Sequence, residues 1–182
     1  KIGNLEIEYP IIQGGMGVRV STAPLAAPVA NCGGGGTIAS VGLPPDTPEN
    51  RKDIPGSCRE HLKIQIRQAR ELSKGAIGVN IMVALSNYED LVRTAVKEDI
   101  DYIISGAGMP ISLPEFAEGS DVKLLPLIAS ARAAKVLLKT WKRRYDRLPD
   151  AMVVEGPLSG GHIAGYSLEE LNDLRETMKT EP

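Results

Sequence analysis

A chain of 182 residues is long enough for one domain with a real core, and its 42% hydrophobic and 24% charged residues are those of an ordinary globular protein. Its 21 Lys and Arg against 23 Asp and Glu leave a net charge of −2, which argues against nucleic acid as a partner. Two cysteines, Cys32 and Cys58, make no disulfide framework, and no apolar run reaches membrane-spanning length, so a cytoplasmic protein with no membrane partner is expected.

The first predicted strand is Tyr9 to Gln13, an apolar run stopped by glycines. A helix from Ser21 to Asn31 follows, with Pro24 tolerated in its first turn. Gly33 to Gly36 leads into a second run, Thr37 to Val41, and then a polar, proline-rich loop, Gly42 to Gly56. Ser57 and Glu60 form a capping-box pattern for a helix reaching Lys74, with Leu62, Ile66, Ala69 and Leu72 at helical spacing. The third run is Ala76 to Val83. Asn87 can cap a helix to Asp99 whose inner stripe is Leu91, Val92, Ala95 and Val96. Asp101 to Ser105 and Leu124 to Ile128 are the fourth and fifth strands. Ser130 can cap a long helix, Ala131 to Tyr145, with Ala134, Val136, Leu137, Leu138 and Trp141 as its apolar stripe. Ala151 to Glu155 is the sixth strand, and Ser167 with Glu170 opens a last helix, Leu168 to Lys179.

These strands are continuous apolar runs, as expected where both faces of a parallel sheet are covered. Repeated βα units fit either a doubly wound sheet or a (β/α)8 barrel. Glycines and polar residues gather after strand upon strand rather than at one switch point. Gly14-Gly15-Met16-Gly17 also lacks the spacing of a dinucleotide fingerprint. Both features favour the barrel, whose active sites are built at the strands' carboxyl ends. Six βα units are countable where a barrel has eight. Residues 1–182 are therefore expected to be the N-terminal three-quarters of a single barrel domain.

The residues able to carry chemistry lie at those strand ends. Gly14 and Gly15 let backbone approach a flat ligand, or simply make a tight turn. Asn80 is a lone amide in an apolar run, and it needs partners in either protein or ligand. Glu155 ends the sixth strand, where it can bond a ligand or close a loop salt bridge. His162 follows Gly160 and Gly161, a context in which an imidazole can be aimed inward for proton transfer or for steadying an anion. His61 reads as surface, the two cysteines as structural, and the basic run Lys139, Lys142, Arg143, Arg144 and Arg147 as a solvated helix face.

Four segments together resemble a known family: Pro10-Ile-Ile-Gln-Gly-Gly-Met-Gly17, Gly78-Val-Asn-Ile-Met82, Ile104-Ser-Gly-Ala-Gly-Met-Pro110 and Val154-Glu-Gly-Pro-Leu-Ser-Gly-Gly-His162. In this order they resemble the nitronate monooxygenases, formerly 2-nitropropane dioxygenases, and the related flavin-dependent enoyl-acyl-carrier-protein reductase of type II. The resemblance implies FMN as cofactor. Gly14, Gly15 and Met16 would contact the flavin through backbone, and Asn80 would hydrogen-bond it. Glu155 would be an acidic flavin ligand, Gly160 and Gly161 would approach the phosphate or ring side, and His162 would be the catalytic histidine. No metal is implied. The implied reaction oxidises an alkyl nitronate with molecular oxygen to a carbonyl compound and nitrite. The alternatives are NAD(P)H-dependent reduction of an enoyl thioester and a truncated, flavin-free fragment without activity. A small-molecule substrate and oxygen are the expected partners, and a homo-oligomer is left open.

Overall fold

The computed structural model describes residues 1–156 together with Ser159, Glu169 and Asn172. Five parallel strands lie side by side in chain order: β1 (Gly36–Ala39), β2 (Ile77–Met82), β3 (Tyr102–Gly106), β4 (Lys123–Ile128) and β5 (Val153–Val154). Helix α1 (Ala23–Asn31) precedes β1, and α2 (Pro48–Lys52) and α3 (Ile54–Leu72) join β1 to β2. Helices α4 (Tyr88–Lys97), α5 (Leu113–Phe116) and α6 (Ala131–Tyr145) make the remaining crossovers. A doubly wound sheet reverses its strand order at a switch point. This sheet never does, and it is the wall of a (β/α)8-type barrel.

Alternation along the strands separates two cores. Ile38, Val79, Ile81, Ile103 and Leu124 face the helices, where they meet Ala26, Leu62, Ile66, Leu91, Val92, Leu137 and Trp141. Each buried Leu or Ile there contributes roughly 1.5–3 kcal/mol relative to exposure. The opposite parity faces the barrel interior, where Tyr102, Ile104 and Leu125 pack with Ile2, Leu5, Ile7, Ile12 and Val153. The N-terminal segment thus covers the inner face of the sheet. Tyr102 lies across Gly78, whose missing Cβ leaves room for the ring. Its hydroxyl donates to the Gly36 carbonyl at 2.9 Å and meets Thr37 Oγ1 at 2.9 Å.

Several sequence expectations need correction. Tyr9 to Gln13 forms no full strand but runs parallel to the start of β1 through one bridge, Ile12 to Gly35. Its flanking bonds are Tyr9 N–H to the Gly33 carbonyl at 3.0 Å and Gln13 N–H to the Gly35 carbonyl at 2.9 Å. The ladder stops there because Pro10 has no N–H and Ile11 N–H turns back onto the Tyr9 carbonyl. The expected loop from Gly42 to Gly56 contains α2 and the start of α3. Helix α3 is capped by Asp53, whose Oδ1 accepts from Gly56 N–H at 2.9 Å, not by Ser57 and Glu60. Pro55 sits in its first turn, where a missing N–H costs nothing. Ser57 instead bonds the Asn50 carbonyl and Glu60 pairs with Lys63. Ser130 caps α6 as expected, accepting from Ala133 N–H at 3.1 Å. The sixth predicted strand is only Val153–Val154, and of the helix expected from Leu168 to Lys179 only Glu169 and Asn172 are among the described residues, both helical.

Candidate functional site

The chain leaves the first extended run at Gln13 and crosses the carboxyl end of the barrel before entering α1. One buried hydroxyl organises this crossing. Ser21 Oγ accepts from Gln13 Nε2 at 2.9 Å and from Met16 N–H at 2.9 Å, and it reaches the Gly14 carbonyl at 3.3 Å. Ser21 N–H returns to the Met16 carbonyl at 2.9 Å. Gln13 ties the loop to β1, its Nε2 donating to the Thr37 carbonyl at 3.1 Å and its Oε1 accepting from Thr37 N–H at 3.3 Å. The loop then turns through Val18 and Arg19 at φ of +52° and +63°, and Val18 N–H is pinned to the Val41 carbonyl at 2.8 Å. A β-branched residue in the left-handed region is strained by about 1–2 kcal/mol, and such strain gathers where a backbone is held for use. Ala107, at φ +52° just past β3, is a further non-glycine residue in the left-handed region on the same rim.

This loop rests on Asn80. A Cβ added to Gly15 would lie 2.5 Å from Asn80 Cβ and 3.0 Å from Asn80 Cγ, so only glycine allows the approach. Asn80 is paired in register with Ala39 and Ile104 and shares the interior-facing parity of Gly78 and Met82. It is half-buried, and among the described residues its side-chain amide has no hydrogen-bond partner. Next to it, Gly14 faces open space, since a Cβ there would meet nothing within 4 Å. Among the described residues no acceptor meets the N–H of Gly14 or Gly15. An amide and two peptide N–H groups with no partner among the described residues therefore lie near one another at the carboxyl end of the strands. Met16 differs from its neighbours: both its backbone groups are spent on Ser21, leaving its exposed side chain as its contribution.

Glu155 is placed at the carboxyl end of β5, three strands along from Asn80, with its N–H donating to the Ile128 carbonyl at 2.9 Å. It has the parity of Val153, which packs into the interior core. Gly160, Gly161 and His162 lie outside the described residues. His61 is half-buried in α3, with Nδ1 2.9 Å from the Ser57 carbonyl, a structural contact. Sequence reasoning missed Ser21 and Gln13 as organisers of the site. The signal was a polar residue at the close of the first apolar run, Gln13, and a hydroxyl just ahead of a helix. No cluster of His, Cys, Asp or Glu fit for a metal occurs among the described residues. Nor is any helix there long and apolar enough to cross a membrane.

Comparison with known proteins agrees with the fold. The chain matches the nitronate monooxygenase family at residues 1–101 and 86–182. Curated proteins give no match. Among solved structures, FabK from Thermotoga maritima is similar at 29% identity and a TM-score of 0.68, over 95% of this chain and 49% of that one. A point mutant of the same FabK is similar at 28% identity and a TM-score of 0.69, over 88% and 47%. Nitroalkane oxidase from Streptomyces ansochromogenes shares the fold at a TM-score of 0.70 and 17% identity, over 92% and 52%. The chain thus spans about half the length of the solved structures it matches.

Proposed function

This chain belongs to the nitronate monooxygenase family, and from that premise we propose that it contributes the Gly14–Asn80 side of the active site of an FMN-dependent oxidoreductase acting on alkyl nitronates. One observation carries the proposal: the amide of Asn80 lies against Gly15, and among the described residues neither that amide nor the N–H groups of Gly14 and Gly15 have a partner. Buried or half-buried polar groups are normally satisfied, and three donors left together fit the carbonyl and ring-nitrogen edge of a flavin. The bare backbone of Gly14 fits its flat face. A bound FMN supplies the electron chemistry, and the protein supplies binding, orientation and electrostatics.

In this reading Gly14, Gly15 and Asn80 donate hydrogen bonds to the cofactor, Met16 covers it with its exposed side chain, and Ser21 and Gln13 hold the loop in place. Glu155 accepts hydrogen bonds at the opposite wall, and Gly160 and Gly161 give close approach. His162 steadies the anionic nitronate or moves a proton to or from it. The products are a carbonyl compound and nitrite, with oxygen as the oxidant. A second reading is reductive, with NAD(P)H as electron donor and an enoyl thioester as substrate. The sequence favours it by one measure, standing at 28–29% identity to the FabK structures against 17% to nitroalkane oxidase.

The test is anaerobic mixing of the FMN-loaded protein with each electron donor while flavin absorbance is followed. Bleaching by an alkyl nitronate and not by NAD(P)H supports the oxidative reading. Bleaching by NAD(P)H alone replaces it with the reductive one. A protein that retains no flavin absorbance after incubation with FMN and gel filtration overturns the cofactor assignment to this chain.

A further inference from the structure

The peptide joining Gly14 to Gly15 has a glycine at each end, so its plane can turn over at little steric cost. Neither glycine stands in the left-handed region. A Cβ on Gly14 would meet nothing within 4 Å, so the fold itself asks for no glycine there. Two hydrogen bonds nevertheless hold this peptide in one orientation. Its carbonyl accepts from Gln13 Nε2 at 3.1 Å and from Ser21 Oγ at 3.3 Å, which occupies both lone pairs of the Gly14 oxygen. The Ser21 proton is free for this bond because the Ser21 oxygen accepts from Gln13 Nε2 and from Met16 N–H, both at 2.9 Å. Gln13 is fixed in its turn: Oε1 accepts from Thr37 N–H at 3.3 Å, which leaves Nε2 facing Gly14 and Ser21. Ser21 is 1% exposed, so bulk water does not compete for its hydroxyl. The carbonyl and the N–H of a trans peptide point in opposite directions. With the Gly14 carbonyl turned toward Ser21 and Gln13, the Gly15 N–H points away from both, and among the described residues it meets no acceptor.

We infer that Ser21 is a positioning residue: its hydroxyl locks the Gly14–Gly15 peptide so that the Gly15 N–H, and not the Gly14 carbonyl, is offered to a bound cofactor. The reversed peptide would put a carbonyl oxygen in that place. It would also turn its N–H toward the Gln13 amide and the Ser21 hydroxyl, two groups whose protons now converge on that point. The two orientations act oppositely on a flavin. A donor N–H favours the reduced ring, which is richer in electrons, and a carbonyl oxygen disfavours it. Ser21 thus tunes the cofactor's electron affinity through one peptide plane, without touching the cofactor. That role rests on the oxidoreductase reading above; the lock on the peptide does not.

The experiment compares the full isotope-labelled chain with its Ser21→Ala variant. Without FMN, NMR relaxation dispersion at the Gly15 amide reports exchange of the peptide between orientations on the μs–ms timescale. The parent is expected to show none, and Ser21→Ala a clear dispersion at Gly15. With FMN, Ser21→Ala is expected to bind about tenfold more weakly, the scale of one lost hydrogen bond. Its bound FMN is expected at a lower reduction potential, by about 30 mV for each tenfold lost in preference for the reduced form. Ser21→Cys keeps the shape of the side chain with a poorer hydrogen-bonding group. It should show the same three changes in weaker form, and it carries the test if Ser21→Ala does not fold. A Gly15 amide without dispersion in the variants overturns the lock. Weaker FMN binding at an unchanged potential overturns the positioning role, since a loosened loop lowers affinity for both redox forms alike. A parent that binds no FMN overturns the cofactor reading, and the Gly15 dispersion then decides the lock by itself.

Discussion

Replacing Gly15 by alanine tests the contact on which the site is built. The new methyl carbon would start 2.5 Å from Asn80 Cβ and 3.0 Å from Cγ, against the roughly 3.5–4 Å at which carbon atoms rest. The loop has to retreat by about 1 Å, since Asn80 is fixed in a strand hydrogen-bonded on both sides. That retreat pulls against the bonds of Ser21 to Met16 and of Gln13 to Thr37. Overpacking of this kind costs about 1–3 kcal/mol, which in a chain of this size is a fall in Tm of about 2–4 °C per kcal/mol. Because the tightest contact is with Cβ, Asn80→Ala leaves it in place and only Asn80→Gly removes it. Gly15→Ala should therefore cost about 1–3 kcal/mol in the parent and close to nothing in the Asn80→Gly background. Urea denaturation of the four proteins of the cycle measures this. An equal cost in both backgrounds would refute the packing of Gly15 on Asn80, and with it the site.

Further outcomes follow from the same structure. Burial pushes the Tyr88 phenol up to about 12, partly offset by its bond to Ser105, and holds Tyr102 higher still. A phenol whose folded pKa is raised stabilises the fold below its unfolded value near 10 and loses that contribution as pH rises toward its folded value. Tyr88→Phe should flatten the loss of stability in this alkaline window, and an unchanged slope would contradict the burial of Tyr88. Tyr102→Phe should cost about 1–3 kcal/mol by urea denaturation, because the Gly36 carbonyl and Thr37 hydroxyl lose a buried partner. A neutral result would mean that water reaches them. The Arg67 guanidinium holds the Glu98 carboxyl below its usual 4.5. Its contribution is present above that value and disappears as pH falls through the depressed one, so Arg67→Gln should flatten the acid limb of stability against pH. High salt should shrink the same limb in the parent. Trp141, the single tryptophan, is fully buried and donates to the Pro110 carbonyl at 3.0 Å. Its fluorescence should shift red in one step with global unfolding, and an earlier shift would show α6 coming away first.

What the sequence made legible was whatever repeats or alternates. The strands at 77–82, 102–106 and 123–128 stood out as apolar runs because each is covered on both faces. The inner stripes of α3, α4 and α6 followed from helical spacing, although Leu72 in α3 and Val136 in α6 proved exposed because a stripe wider than its partner runs past the contact. What stayed hidden depends on single long-range partners. Asp53 won the cap of α3 over Ser57 because the Asn50 carbonyl claims the Ser57 hydroxyl and Lys63 claims Glu60. No local pattern announces that competition.

The site divides along the same line. Glycines after an apolar run mark a place where backbone comes close to something, and the sequence cannot say to what. Here Gly36 and Gly78 approach protein, the first lying against the backbone of α1 and the second under the Tyr102 ring. Gly14 approaches nothing within the described residues, and Gly15 approaches the one polar side chain of its strand. The distinction needs the third dimension: a glycine filled from across the fold is structural, and a glycine left open beside an unsatisfied amide is a place for a ligand. By that criterion the cofactor contact proposed for this chain centres on Gly14, Gly15 and Asn80, and the role proposed for His162 is to act on what those three would hold.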